Sequence, residues 1–131
     1  MKLLVSILAH TAATFFFIYG ILFLINPLDW FYIVTNDLLK NPTSLIDIRS
    51  TYGGVNIAVA VFIRYLYLRS YKILCMNLIS TILLIMASAR ILGMMIDGSG
   101  NWIMTVYLIL ELIGGGLALF AAKLLKSEIK N

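Results

Sequence analysis

The sequence predicts an all-α integral membrane protein, a four-transmembrane-helix up-down bundle with a short external interfacial helix. Three observations support this fold class: 62% of the 131 residues are hydrophobic, only 12% are charged, and the mean hydropathy is +1.00. An ordinary soluble domain has about a quarter charged residues. A chain this short could not bury so much apolar surface within its own core. We therefore expect a single membrane domain over residues 1–131.

Four apolar runs reach the roughly 20 residues that a helix needs to cross a bilayer. They cover about residues 3–25, 47–68, 72–96 and 102–124. The first run follows Met1 and Lys2 as a signal peptide would, but its apolar character continues to Ile25, beyond the length of a signal-peptide core. We interpret it as a retained helix. The short connections after the second and third runs predict antiparallel neighbouring helices.

The placement of lysine and arginine predicts the orientation. With four spans, both termini and the turn near Arg69 lie on the same side of the membrane. Of the ten basic residues, that side holds seven: Lys2, Arg64, Arg69, Lys72, Lys123, Lys126 and Lys130. The positive-inside rule places such a side in the cytoplasm. We therefore expect a multi-pass membrane protein with both termini cytoplasmic.

The same charge pattern bears on partners. A net charge of +4 fits contact with anionic membrane lipids. The basic residues flank helix ends and form no separate patch, so no nucleic-acid partner is expected. The motifs of nucleotide-binding proteins, hydrolases and zinc sites are missing, and we expect no metal and no cofactor. Cys75 is predicted to be a buried, inert thiol, and His10 a packed or helix-bonded histidine.

Residues 26–46 form the one long connection, and residues 27–40 are its interfacial segment. Their apolar side chains recur at roughly helical spacing after Pro27, which predicts a short amphipathic helix in the outer interface. The Asn-Pro-Thr-Ser stretch at residues 41–44 is expected to end this helix before the second span. Two interpretations stay open: a lid over an outer mouth, and simple interfacial packing.

Glu111 is an unusual residue because it lies near the centre of the fourth run. At 1.5 Å per residue, Arg90 lies ~10 Å below Asp97, and Glu111 lies ~13 Å below Trp102. Both depths are measured from the same turn, so the two charged side chains lie at nearly the same level. We therefore predict that Arg90 and Glu111 form an ion pair rather than face lipid.

Helical spacing adds further polar residues to this region. Arg49, Tyr52 and Asn56 lie on one helix face at i, i+3 and i+7. The predicted ligand-binding or ion-pair cluster contains Asp47, Arg49, Tyr52, Asn56, Arg90, Asp97 and Glu111. Ionisable residues inside a membrane usually face a bundle interior, a cavity or each other. The cluster therefore has two interpretations: an outward-opening two-layer site, or a structural network that fixes helix register.

Three stretches of the chain resemble a known family. Residues 47–54 (DIRSTYGG) resemble the acidic-x-Arg-x-x-Tyr-Gly-Gly signature of domain-of-unknown-function family 4345, with Asp47 where glutamate is more usual. Residues 89–93 followed by Asp97 and Gly98 resemble its second signature, and Glu111 with Leu112 its third. The resemblance covers nearly the whole chain. It implies a small bacterial four-helix membrane protein without an established biochemical activity, and it supplies no substrate.

Three functions are compatible with these patterns. The first is a non-enzymatic membrane protein whose outward-facing pocket binds a small anionic or lipid-like ligand through Arg49 and Arg90. The second is an accessory subunit that docks on other membrane subunits. The third is a membrane enzyme of isomerase type, with Glu111 or Asp97 as acid or base, for which no catalytic residue is otherwise indicated. We rank them in that order.

Overall fold

The computed structural model describes residues 2–130, and the described chain contains helices and no strand. Four of the helices are long and apolar enough to cross a membrane, which agrees with the predicted all-helical architecture. The five helices are α1 (Lys2–Ile25), α2 (Pro27–Thr35), α3 (Pro42–Leu68), α4 (Lys72–Asp97) and α5 (Trp102–Lys130).

The four long helices pack mainly as two pairs. α1 packs most extensively on α3, and α4 on α5, while smaller contacts of α1 with α4 and α5 and of α3 with α4 join the pairs. Because successive long helices alternate in direction, Lys2, Lys130 and the turn at residues 69–71 lie at one end, which we call the terminal end. α2 and the turn at residues 98–101 lie at the other, which we call the α2 end.

The main apolar core lies in the half of the bundle toward the terminal end. Each long helix contributes to it, and α5 does so through alanines, which let α4 and its larger side chains approach closely. The cluster contains Val5, Ala9 and Phe16 from α1, Ala60, Ile63 and Leu66 from α3, Cys75, Met76 and Ile79 from α4, and Ala118, Ala121 and Ala122 from α5. Cys75 is fully buried, as the sequence predicted.

α3 changes its helical form in the middle. It is α-helical over Pro42–Ile48 and Asn56–Leu68, and π-helical over Arg49–Val55. π-helices are rare, occur mostly as single-turn bulges, and are frequent at functional sites. Two side chains bond to backbone carbonyls four residues earlier: Thr51 Oγ1 donates to Asp47 at 2.8 Å, and Asn56 Nδ2 donates to Tyr52 at 2.7 Å. These side chains therefore supply donors where an α-helix would supply a backbone N–H.

Glycine allows α1 and α3 to cross closely next to the π-helix. A Cβ atom on Gly20 would lie 2.8 Å from the carbonyl oxygen of Gly53 and 2.7 Å from Ile57 Cγ1. On α5, a Cβ on Gly115 would meet the Leu84 side chain at 2.8 Å. The glycine positions therefore fix interhelical distance.

The second span begins earlier than the sequence predicted. We expected it from Asp47, with residues 41–44 acting as a break, but α3 begins at Pro42. Asn41 caps this helix, because its Oδ1 accepts a hydrogen bond from the Ser44 N–H at 2.8 Å. Proline in the first turn is compatible with a helix start because its missing N–H would have no partner there. The predicted break between the interfacial helix and the second span therefore exists, but it lies at residues 36–41 instead of 41–44.

The connection over residues 27–40 is helical only as far as Thr35. Asn26 accepts from the Asp29 N–H at 3.4 Å, and the helix begins at Pro27 as predicted. It ends where Asn36 adopts a left-handed conformation with φ 60°, a common helix end. Asn101 Nδ2 donates to the Val34 carbonyl at 2.8 Å. This bond fastens α2 to the turn between α4 and α5.

The other predicted boundaries agree with α1, α4 and the start of α5 within a residue. α5 continues to Lys130 instead of ending near residue 124. The apolar run does end there, but the basic stretch that follows stays helical, since charge alone does not terminate a helix.

Candidate functional site

Arg90 on α4 and Glu111 on α5 form the ion pair that their equal depth predicted. Arg90 Nη2 lies 2.6 Å from Glu111 Oε1, and Nε lies 3.1 Å from Oε2. The side chains are 19% and 7% exposed, respectively. Such a two-pronged contact fixes orientation as well as distance. Both oxygens of the Glu111 carboxylate are engaged by a single guanidinium.

Two further contacts of Arg90 also come from α5. Its Nη1 donates to Met104 Sδ at 3.0 Å, and its Cζ lies 5.2 Å from the centroid of the Tyr107 ring. That distance is typical of a cation–π contact. Met104, Tyr107 and Glu111 follow at i, i+3 and i+7 and therefore share one helix face. The guanidinium is thus surrounded by sulfur, aromatic ring and carboxylate.

A row of aromatic rings connects this pair with α3. The Tyr52 ring on α3 lies 5.2 Å from Phe23 on α1, and Phe23 lies 4.8 Å from Tyr19. Tyr19 in turn lies 6.3 Å from Tyr107 on α5, nearly perpendicular to it. The aromatic row therefore crosses the α2-end half of the bundle from the π-helix to Arg90. Phe23 had no polar signal in the sequence and was not among the predicted residues.

Arg49 binds backbone instead of a carboxylate. Its Nη1 donates to the carbonyl of Leu24, and also to that of Ile25 at 3.3 Å. These are the last residues of α1, whose carbonyls lack helical partners, and an arginine near a helix C-terminus also complements the helix dipole. Arg49 therefore caps α1 from the start of the π-helix.

The predicted two-layer ion-paired network is not formed. Among the side chains of residues 2–128, Arg90–Glu111 is the one ion pair. Asp47 and Asp97 are exposed at the α2 end, outside that pair. Asn56 bonds to its own helix, because the π-helix changes the phase of α3 on which the shared-face prediction relied. The structure thus brings Arg90 and Glu111 together, sets Arg49 and Tyr52 against α1, and leaves the two aspartates at the surface.

Two open grooves lie toward the terminal end. One, of about 690 Å³, is lined by residues 70–74 and by Asn77, Leu125 and Glu128. The other, of about 500 Å³, lies between α1 and α3 beside His10 and Arg64. Neither reaches Arg90 or Glu111. In the described part of the chain, every buried side-chain nitrogen and oxygen has a hydrogen-bond partner.

A second polar group, near the terminal end, was missed by the sequence reasoning. His10 Nδ1 lies 2.7 Å from the Ser6 carbonyl, and Arg64 Nη1 lies 2.7 Å from His10 Nε2. The Tyr67 hydroxyl donates to Ser6 Oγ at 2.9 Å, and its ring meets His10 edge-on at 4.9 Å. His10 is helix-bonded as predicted. Its contact with Arg64 could have been found by comparing their distances from the terminal end.

Metal ligation has no support in the described residues, where no three His, Cys, Asp or Glu side chains lie close enough together to hold an ion. The isolated Cys75 thiol lies 3.6 Å from the Ile63 carbonyl inside the core. At the α2 end, the exposed Arg49 and Tyr52 side chains present a cation and an aromatic ring.

Comparison with known proteins gives one result. The model of the family described as Domain of unknown function (DUF4345) matches residues 4–122, which include the π-helix, the aromatic row and the Arg90–Glu111 pair. No curated protein and no solved structure matches the chain. Since the match covers nearly the whole sequence, the chain belongs to the DUF4345 family.

Proposed function

We propose that this is a membrane-embedded binding protein whose α2 end holds a small anionic or zwitterionic ligand through Arg49. The observation that carries the proposal is the seven-residue π-helix that begins at Arg49. The π-helix places the exposed Arg49 guanidinium beside the end of α1, where α3 passes that helix. The Arg90–Glu111 pair acts in this proposal as the brace that keeps α4 and α5 in register, not as the ligand contact.

Arg49 has donors to spare for such a ligand. Both of its hydrogen bonds within the described residues use Nη1, so Nε and Nη2 remain for an incoming group. The planar guanidinium fork matches a carboxylate or a phosphate. The bonds to α1 hold the side chain in place beforehand, which lowers the entropy lost on binding.

The acidic residues at the α2 end determine which ligand charge this end would favour. Asp29, Asp37, Asp47 and Asp97 are all exposed there, at the same end as the Arg49 guanidinium. A small ligand that bears both charges suits this mixture better than a polyanion does. The exposed ring of Tyr52, 41% accessible, adds an aromatic surface beside Arg49.

The geometry gives less support to an enzyme that uses Glu111. A general acid or base must reach the proton it transfers, and both oxygens of this carboxylate are bound to Arg90. A second candidate, the accessory membrane subunit, is favoured by a specific observation: the charges of the Arg90–Glu111 pair are satisfied inside the chain, and neither of the two grooves reaches this pair.

The proposal includes the orientation. The terminal end lies in the cytoplasm of a bacterial inner-membrane protein and the α2 end faces outward, because the basic residues collect at the terminal end. Cysteine introduced at Ser99, in the turn at the α2 end, should react with a membrane-impermeant maleimide in intact spheroplasts. Reaction only after permeabilisation would contradict this orientation.

Binding to purified protein tests the ligand site. The probes are phosphoethanolamine and glycerol 3-phosphate, one zwitterionic and one anionic, measured by calorimetry in mild detergent. Arg49→Gln should weaken binding about tenfold or more, the effect of losing a charged hydrogen bond. Lys40→Gln, at an exposed basic residue of the same end, is the matched control and should bind normally. Absence of binding by the unaltered protein would leave the accessory subunit as the better account.

A further inference from the structure

Arg64 is an arginine of the terminal half whose charge is not neutralised by a carboxylate. It lies outside the one ion pair found among the side chains of residues 2–128, and its side-chain partner is His10 on α1. A lone guanidinium four residues before the end of α3 lies ~6 Å from that end. This is the depth at which the side chain can reach the polar boundary of a bilayer.

His10 cannot supply the missing negative charge. The Ser6 carbonyl can only accept, so His10 Nδ1 carries the hydrogen of that 2.7 Å bond. Arg64 can only donate, so His10 Nε2 is the acceptor of the other. The imidazole is therefore neutral in this arrangement. It positions the guanidinium, and Tyr67 and Ser6 in turn hold the histidine.

A groove of about 500 Å³ runs from this pair along the outside of α1 and α3. On α1 it is lined at i, i+3, i+4 and i+7 from His10, which places these side chains on one face. Its walls beyond the polar pair are mostly apolar: Ala13, Thr14 and Phe17 on α1, and Ala60 and Val61 on α3. Phe17 and Val61 are 47% and 59% exposed. The groove thus has a cationic end and a long apolar wall.

We infer that this groove binds an anionic phospholipid of the leaflet at the terminal end. Arg64 donates to the lipid phosphate, and one acyl chain lies against Phe17 and Val61. Charge complementarity selects the headgroup, because Arg64, Lys2 and Lys126 all lie at this end and attract an anionic leaflet. The apolar wall favours a lipid over a free anion, because only a lipid has an acyl chain that can pack against this wall. The site is separate from the one proposed at Arg49, at the opposite end.

Lipid titration of the delipidated full-length chain, followed by native mass spectrometry, tests this site. The probes are phosphatidylglycerol, phosphatidylcholine and inorganic phosphate. Arg64→Gln should weaken phosphatidylglycerol binding about tenfold or more, whereas Arg64→Lys should retain part of it. Arg69→Gln removes an exposed cation at the same end and is the matched control. Arg49→Gln should leave this binding unchanged, which separates the two proposed sites.

A groove-filling variant tests the acyl-chain contact independently. Val61→Trp keeps Arg64 and occupies the apolar wall, so it should also release phosphatidylglycerol, even if Arg64→Gln fails to fold. Equal effects of Arg64→Gln and Arg69→Gln would overturn the assignment. So would equal affinity for phosphatidylglycerol and phosphatidylcholine, or binding of inorganic phosphate as tight as that of the lipid.

Discussion

The two halves of the bundle are held together by different means. The terminal half has the continuous apolar core, in which alanines of α5 face Met76 and Ile79 of α4. The α2-end half has the Arg90–Glu111 pair, the aromatic row and the π-helix. In a membrane, apolar burial alone does little to bring helices together, because lipid tails are equally apolar. Close packing therefore joins the helices in one half, and directional contacts join them in the other.

The α2-end half contains two arginines with different roles. The polar contacts of Arg90 are all made within α4 and α5, whereas Arg49 is exposed and bonded only to backbone at the end of α1. An arginine with its donors satisfied stabilises a fold, and one with donors to spare can bind. The α2-end half therefore contains both a brace and a candidate binding group.

The largest predicted effect is on the brace. Glu111→Gln or Arg90→Gln leaves one largely buried charge without its partner, and should lower the free energy of unfolding by about 3–5 kcal/mol. The double variant leaves neither charge and should be more stable than either single one. Titration with denaturing detergent, followed by circular dichroism, measures these differences. Glu128→Gln, at an exposed acid of α5, is the control. A double variant no more stable than the single ones would remove the pair as the source of stability.

A smaller effect is expected where α1 crosses α3. Gly20→Ala would place a methyl group 2.8 Å from the Gly53 carbonyl oxygen, and such overpacking should lower the free energy of unfolding by about 1–3 kcal/mol. Gly116→Ala is the matched control, because nothing lies within 4 Å of its Cβ position. It should leave stability unchanged or raise it slightly. Equal destabilisation by both would show that backbone flexibility, not the close crossing, matters at Gly20.

The smallest effect concerns the attachment of α2. Asn101→Ala removes the bond to the Val34 carbonyl and also the bond that Asn101 Oδ1 accepts from the Met104 N–H at the start of α5. It should lower the free energy of unfolding by about 1–2 kcal/mol. Hydrogen exchange should become faster in α2 and in the first turn of α5, while α4 keeps its protection. Asn77→Ala, at an exposed amide of α4, serves as the comparison. Unchanged exchange in α2 would show that the buried Val34 side chain holds this helix alone.

The sequence was most informative where depth along a helix decides the outcome. Run length predicted the four long helices, and distance from a shared turn predicted the Arg90–Glu111 pair. The π-helix was not predicted, because the helical spacing that we applied assumes α-helical geometry. For the same reason, Asn56 was expected on a helix face that it does not occupy. The partners of Arg49 were also not predicted, since backbone carbonyls have no signature in the side-chain sequence. His10 and Arg64 were missed because depths were compared only from the α2 end.

The central claim is that binding and bracing reside in different arginines of the same half. The most direct measurement determines stability and phosphoethanolamine affinity together for Arg49→Gln and for the Arg90→Gln/Glu111→Gln double variant. We predict that Arg49→Gln loses affinity about tenfold or more with only a small change in stability, whereas the double variant loses stability and still binds. Loss of binding in the double variant, with normal binding by Arg49→Gln, would contradict this account and place the ligand at Arg90.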